Sequence, residues 1–226
     1  MASRKPAKDQ PASFAWTSEN QAWCDAQVKK YPDGRQASCA IPFLWRGQKQ
    51  EGWISIAMME TIARQLEMPY IRVFEVATFY SMFNLAPVGE HLVQVCGTTP
   101  CMLRGSHELN RVCERLIGEQ SRVSADGKFS WLEVECLGAC VNAPMVQIST
   151  AAADHYYEDL TPERLERLLE DLRAGKQVNS GSQEPARRTS EPHGGSTTLK
   201  DAALYDGSRA APIGALPNSA PKPAAT

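Results

Sequence analysis

Two cysteine pairs constrain this chain more than any other feature. Val95-Cys96-Gly97-Thr98-Thr99-Pro100-Cys101 sets two thiols with four residues between them. Glu135-Cys136-Leu137-Gly138-Ala139-Cys140 sets two more with three between them, and 34 residues separate the pairs. Four thiolates in two close pairs suit a tetrahedral sulfur site, holding either zinc or an iron–sulfur cluster. The spacing by itself leaves two local disulfides, or buried free thiols, as competing readings. Gly97, Gly138 and Ala139 are small, as expected where backbone amides must approach sulfur.

The flanking residues supply a scaffold. His91 to Val95 alternates as a strand does. Beyond Pro100, the apolar residues Leu109, Val112, Cys113 and Leu116 fall at helix spacing. Thr99 suits the cap of that helix and Pro100 its first position. Cys101 then lies in the first turn, where free amides and the helix dipole favour a thiolate. A second strand, Trp131 to Glu135, delivers the other pair, so the site is expected at the ends of two strands, between two loops. Strand, cysteine loop and helix is also how a thioredoxin begins, although there the cysteines stand two residues apart.

At this point the sequence resembles a known family. Cys96-x4-Cys101, the 34-residue gap, and Asp126 to Ser130 leading into Cys136-Leu-Gly-Ala-Cys140-Val-Asn-Ala-Pro144 are similar to the thioredoxin-like 2Fe–2S subunit of respiratory complex I. Gly34-Arg-Gln-Ala37, Gln50-Glu-Gly-Trp53 and Val76-Ala-Thr-Phe-Tyr80 extend the resemblance, which runs from near Phe14 to about Arg173. It implies one 2Fe–2S cluster on Cys96, Cys101, Cys136 and Cys140. It also implies a place beside the flavoprotein that binds NADH and FMN, among the other peripheral-arm subunits of a proton-translocating NADH:quinone oxidoreductase. FMN and NADH would then be held by that partner and not by this chain. The setting implied is the cytoplasmic side of a bacterial inner membrane, or the mitochondrial matrix side. Similar subunits also occur in soluble NAD-linked hydrogenases and formate dehydrogenases. A zinc-stapled interaction module is the reading from a different class.

The expected fold is mixed α and β: a small N-terminal helical bundle, then a thioredoxin-like 2Fe–2S domain. Residues 1–15 are polar and rich in Pro and Ala, and are read as a flexible arm. Four short helices are expected over 16–88. The first starts at Ser18, with Gln21 completing a capping box. The second covers Cys39 to Gln50, the third is capped by Ser55, and the fourth runs from Arg72 to Phe83. Over 89–175, strands near 91–96, 131–136, 144–149 and 155–157 precede a helix capped by Thr161, with Pro162 at its first position. Residues 176–226 are dominated by Ala, Pro, Ser and Gly with one aromatic residue, Tyr205, and are read as a disordered tail. The apolar island Leu199 to Tyr205 is read there as chance composition in preference to a docking segment.

Composition narrows the partners. Net charge is −2, which gives no basis for nucleic-acid binding, and no apolar run is long enough to insert in a bilayer. Seven cysteines, two tight pairs and three singles, suit a metal centre in a reducing compartment. The polar start of the chain does not read as a secretory signal. Cys24, Cys39 and Cys113 are not expected as ligands: Cys113 reads as a small core residue, Cys24 and Cys39 belong to the helical segment, and His91 is expected at a strand edge. Phe74, Phe79 and Phe83 are read as bundle core, whereas Trp16, Trp23, Trp45 and Trp53 include candidate interface anchors. No P-loop, GxGxxG or Ser/His/Asp constellation occurs, so no catalytic residue is expected in this chain.

Overall fold

The computed structural model describes residues 5–185, together with 187, 198 and 201. Four helices come first: α1 (Ser18–Val28), α2 (Ala40–Glu51), α3 (Ile56–Gln65) and α4 (Tyr70–Phe79). A 3-10 turn, Gln36–Cys39, leads into α2. The cap of α1 is Thr17, one residue before the expected Ser18, and its hydroxyl accepts from the Asn20 amide at 3.2 Å. Gln21 closes no capping box, because its amide turns outward to Asp25. Ser55 caps α3 as expected, accepting from the Met58 amide at 3.1 Å.

The helices bury one apolar core. Cys24, Phe43, Leu44, Met58, Ile62 and Phe83 are all fully enclosed there. Each large side chain so buried contributes about 1.5–3 kcal/mol. α4 ends four residues earlier than its periodicity predicts, since Tyr80 already has extended backbone. Phe79 lies about 240° round the helix from buried Val73 and is 79% exposed, contrary to the expectation of a core residue.

The arm before α1 is also better tied than its composition suggests. Ala7 N–H donates to Leu85 O at 2.8 Å, and Gln10 Oε1 accepts from the Ile56 amide at 2.8 Å. Phe14 packs edge-on against Trp16, whose indole donates to Gln65. Polar side chains that serve neighbouring backbone groups leave no periodic apolar signal, which is why this segment reads as loose.

The second half forms a five-stranded sheet from β1 (His91–Cys96), β2 (Phe129–Val134), β3 (Val146–Ser149), β4 (Asp154–Glu158) and β5 (Gly181–Ser182). Their order is β2-β1-β3-β4-β5. β1 and β2 are parallel, β3 is antiparallel to both β1 and β4, and β5 runs parallel to β4. Parallel neighbours require a crossover, which here holds α5 (Thr99–Leu103) and α6 (Ser106–Leu116). The single helix expected after Pro100 is therefore two, because the chain turns left-handed at Gly105 (φ 98°). The cap of α5 is Thr98 rather than Thr99. α6 and α7 (Pro162–Arg173) cover one sheet face, burying Val93, Val95, Leu109, Trp131, Val146 and Leu165.

Lys49 joins the two halves. Its ammonium lies over the Trp45 ring, donates to Thr150 O at 2.8 Å and pairs with Asp154 at 3.0 Å.

β5 corrects the expected boundary at Gly175, because chain beyond that point adds a strand to the sheet. A two-residue strand in a Gly/Ser/Gln setting has no apolar pattern to announce it. The Leu199–Tyr205 island lies outside the described residues except for Asp201.

Candidate metal centre

The parallel pairing of β1 and β2 determines where the cysteines meet. Cys96 ends β1 opposite Val134, so the loops leaving both strands emerge at the same edge of the sheet. Cys101 follows in the first turn of α5, and Cys136 and Cys140 lie in the loop after β2, where Cys140 opens a 3-10 turn, Cys140–Asn142. Cys96 and Cys101 are 2% and 1% exposed and pack with Ala143 and Met145, whereas Cys136 and Cys140 are exposed. The structure thus brings all four predicted positions together as one buried pair and one surface pair.

The sulfurs are close. Cys136 Sγ and Cys140 Sγ are 3.5 Å apart. Cys96 lies within interaction range of both Cys101 and Cys136. Among the described residues, no three His, Cys, Asp or Glu side chains are gathered tightly enough to enclose a single metal ion. The contacts between pairs make the four sulfurs one set. Such a set can hold a binuclear cluster, with two thiolates on each iron.

Hydrogen-bond donors support the same assignment. The Gly138 N–H donates to Cys136 Sγ at 3.4 Å, from a backbone with φ 86° that few other residues adopt. Gly97 has a different role from the one expected. Its amide donates to Val134 O at 2.9 Å, not to sulfur, and a Cβ there would strike the Glu133 side chain. Thr98 Oγ1, between Cys96 and Cys101, is buried without a partner. An orphaned hydroxyl costs free energy unless an acceptor arrives, and the sulfide of an iron–sulfur cluster is one.

The protonation of the free thiols follows their burial. Desolvation, reinforced by the hydrogen bond with Cys96, pushes Cys101 up to about 12. The expected lowering at the helix start is therefore outweighed. The Gly138 amide and then Cys140 hold Cys136 below its ordinary range, while the bond from Cys136 raises Cys140. Metal ligation requires thiolates, so a cluster held at these positions would release these protons on assembly.

The remaining candidates lie elsewhere. Cys24 and Cys39 are in the bundle core and Cys113 is in the α6 core, all 0% exposed. Burial pushes Cys24 and Cys113 up to about 12. His91 stands at the opposite end of β1 from Cys96, stacked on Phe129 at 5.2 Å. The four tryptophans considered as anchors are all partly buried. The exposed apolar side chains flanking the site are Met102, Leu103 and Val141, which sequence reasoning did not single out. Met102 and Leu103 follow Cys101 and Val141 follows Cys140, and that adjacency was the available signal. Tyr156, whose hydroxyl donates to Leu137 O at 2.7 Å and pins the surface loop to β4, carries no such mark.

The family model described as thioredoxin-like [2Fe-2S] ferredoxin matches residues 24–173. An NADH-quinone oxidoreductase subunit of Rhizobium meliloti (strain 1021) is 52% identical over 206 residues, covering 88% of this chain and 73% of that protein. The corresponding NADH-quinone oxidoreductase subunit of Rickettsia bellii (strain RML369-C) is 48% identical over 163 residues, covering 71% of this chain and 95% of that one. Among solved structures, an NAD+-reducing [NiFe]-hydrogenase in the H2-reduced state superposes with a TM-score of 0.52 at 16% identity. That match covers 66% of this chain and only 24% of the hydrogenase chain, and it speaks to the fold alone.

Proposed function

This chain belongs to the thioredoxin-like [2Fe-2S] ferredoxin family, and from that premise we propose that it is the iron–sulfur electron-transfer subunit of a proton-translocating NADH:quinone oxidoreductase. Cys96, Cys101, Cys136 and Cys140 hold its one 2Fe–2S cluster. The partner is the adjacent flavoprotein, which binds NADH and FMN, and the chain exchanges single electrons with that FMN. This chain has no catalytic site of its own, and hydride chemistry belongs to the partner.

When bound, a 2Fe–2S cluster supplies one-electron storage at a potential set by charge, exposure and hydrogen bonds to sulfur. The chain's residues divide the remaining work. Cys96 and Cys101 form the dry side, enclosed with Met145. The Gly138 amide already donates to Cys136 sulfur, and the Thr98 hydroxyl supplies a further donor. Cys136 and Cys140 form the side that faces out.

The observation that carries this reading is that asymmetry. A carrier needs one side open to its redox partner, and the open side here is flanked by exposed Leu103 and Val141, at 77% and 65%. Such apolar side chains suit a protein interface. No helix among the described residues is long and apolar enough to cross a membrane. The setting proposed is peripheral, on the cytoplasmic or matrix side, through the rest of the complex.

The test is an anaerobic NADH titration read by electron paramagnetic resonance. The isolated chain should give no signal with NADH and a full one with dithionite, and adding the flavoprotein should permit reduction by NADH. A full NADH signal from the isolated chain would overturn the reading.

A further inference from the structure

Chain beyond the family match, which ends at residue 173, returns to the surface cysteine loop. β5 pairs with β4, and Gln183 N–H donates to Glu158 O at 2.9 Å. Ser182 Oγ donates to Asp159 Oδ2 at 2.6 Å. Arg187 then pairs with Asp159 Oδ1 at 2.8 Å, the two side chains being 13% and 8% exposed. The same guanidinium donates to Val141 O at 3.0 Å, next to Cys140.

The Cys140–Asn142 turn is held by the same corner. Asp159 N–H donates to Asn142 O at 2.8 Å, and the Asn142 side chain donates to Glu158. Arg187 therefore grips the turn directly through Val141, and it also steadies Asp159, which grips it through Asn142. A planar fork can hold a carboxylate and a carbonyl together in one fixed geometry.

We propose that residues 181–185, together with Arg187, form a strap in which Arg187 is a positioning residue for Cys140, setting how firmly and in what geometry the exposed half of the cluster is held. The proposal rests on Cys140 being a cluster ligand. Val141 is largely exposed, and among the described residues the Tyr156 side chain donates to the backbone of the loop before it. Losing the strap should loosen the turn without removing any ligand.

The experiment uses the full chain carrying its cluster. Bleaching by an iron chelator, the resonance line shape after dithionite, and the thermal midpoint are compared for wild type, Arg187→Ala, Arg187→Lys, Lys176→Ala and Cys140→Ala. Arg187→Ala should bleach about 10-fold faster, as expected for losing a charged buried hydrogen bond, with an altered line shape. Arg187→Lys should recover much of the midpoint, because an ammonium still pairs with Asp159. It should still bleach faster than wild type, because it lacks the fork that also reaches Val141. Lys176→Ala breaks the side-chain pair with Asp171, ahead of the strap, and should match wild type.

Wild-type bleaching and line shape in Arg187→Ala, or a change in its midpoint alone, would overturn the proposal. Should Arg187→Ala fail to fold, Arg187→Lys decides by the same two readouts. Retention of a full cluster by Cys140→Ala would instead sink the ligand assignment, so the two failures are distinguishable.

Discussion

Cys96 stands opposite Val134 in the parallel β1–β2 ladder, two residues before Cys136. Had the two strands been antiparallel, their cysteine loops would have left from opposite edges of the sheet. Parallel pairing and the α5–α6 crossover that it requires are thus the architectural condition for a shared sulfur site.

That site predicts a clear division among the seven cysteines. Cys136→Ala should lose most iron and acid-labile sulfide, since each iron needs two protein sulfurs. Cys24→Ala and Cys39→Ala should keep the full cluster and cost about 1 kcal/mol in unfolding free energy for the atoms removed from the core. Metal and sulfide assays beside urea titrations check both halves.

Two glycines should respond differently to alanine. At Gly89 a Cβ would collide with the Phe129 backbone, whereas at Gly97 it meets the Glu133 side chain. Backbone cannot rotate aside and a glutamate can. Gly89→Ala should therefore cost about 3 kcal/mol and Gly97→Ala about 1 kcal/mol. Adding Glu133→Ala should relieve the second and leave the first unchanged, as read by denaturant midpoints.

His91 predicts a pH dependence of stability. Burial holds its pKa below the ordinary 6.5, and its Nδ1 is buried without a hydrogen-bond partner. Above 6.5 the ring is neutral in both states and contributes no pH dependence. As pH falls below 6.5 the unfolded chain takes the proton first, so stability declines until the folded-state pKa is passed. His91→Phe keeps the stacking on Phe129 and cannot titrate. Its unfolding free energy should fall less than wild type's between about pH 6.5 and 5, and equal slopes would count against His91 as the source.

A chain ending at Gly175, which composition alone suggests would be intact, should be destabilised. The cut removes β5 and leaves Asp159 buried without Arg187, a loss of about 3 kcal/mol. Thermal and urea unfolding of the truncated and full chains, both carrying the cluster, measure it.

The exposed face should be separable from the cluster itself. Leu103→Glu alters a side chain that is 77% exposed and touches no ligand backbone bond. The dithionite-reduced spectrum should be unchanged. Reduction by NADH through the flavoprotein should slow by roughly 10-fold, as for an interface anchor. An unchanged rate would remove Leu103 from the contact.

Short-range chemistry made much of this protein legible in advance. Ser55 and Thr161 announced their helices because a cap acts within three residues. The four cysteines suggested a sulfur site because their pairs sit inside single loops. What the tertiary structure decided were relations with no local trace. Cys101 is buried and Cys140 exposed, a difference that depends on what packs over each. Arg187 meets Asp159 from 28 residues away, in a segment whose composition argued against any structure. Periodicity and capping record interactions within a turn or two of chain, whereas burial and long-range pairing depend on which distant segments the sheet brings together.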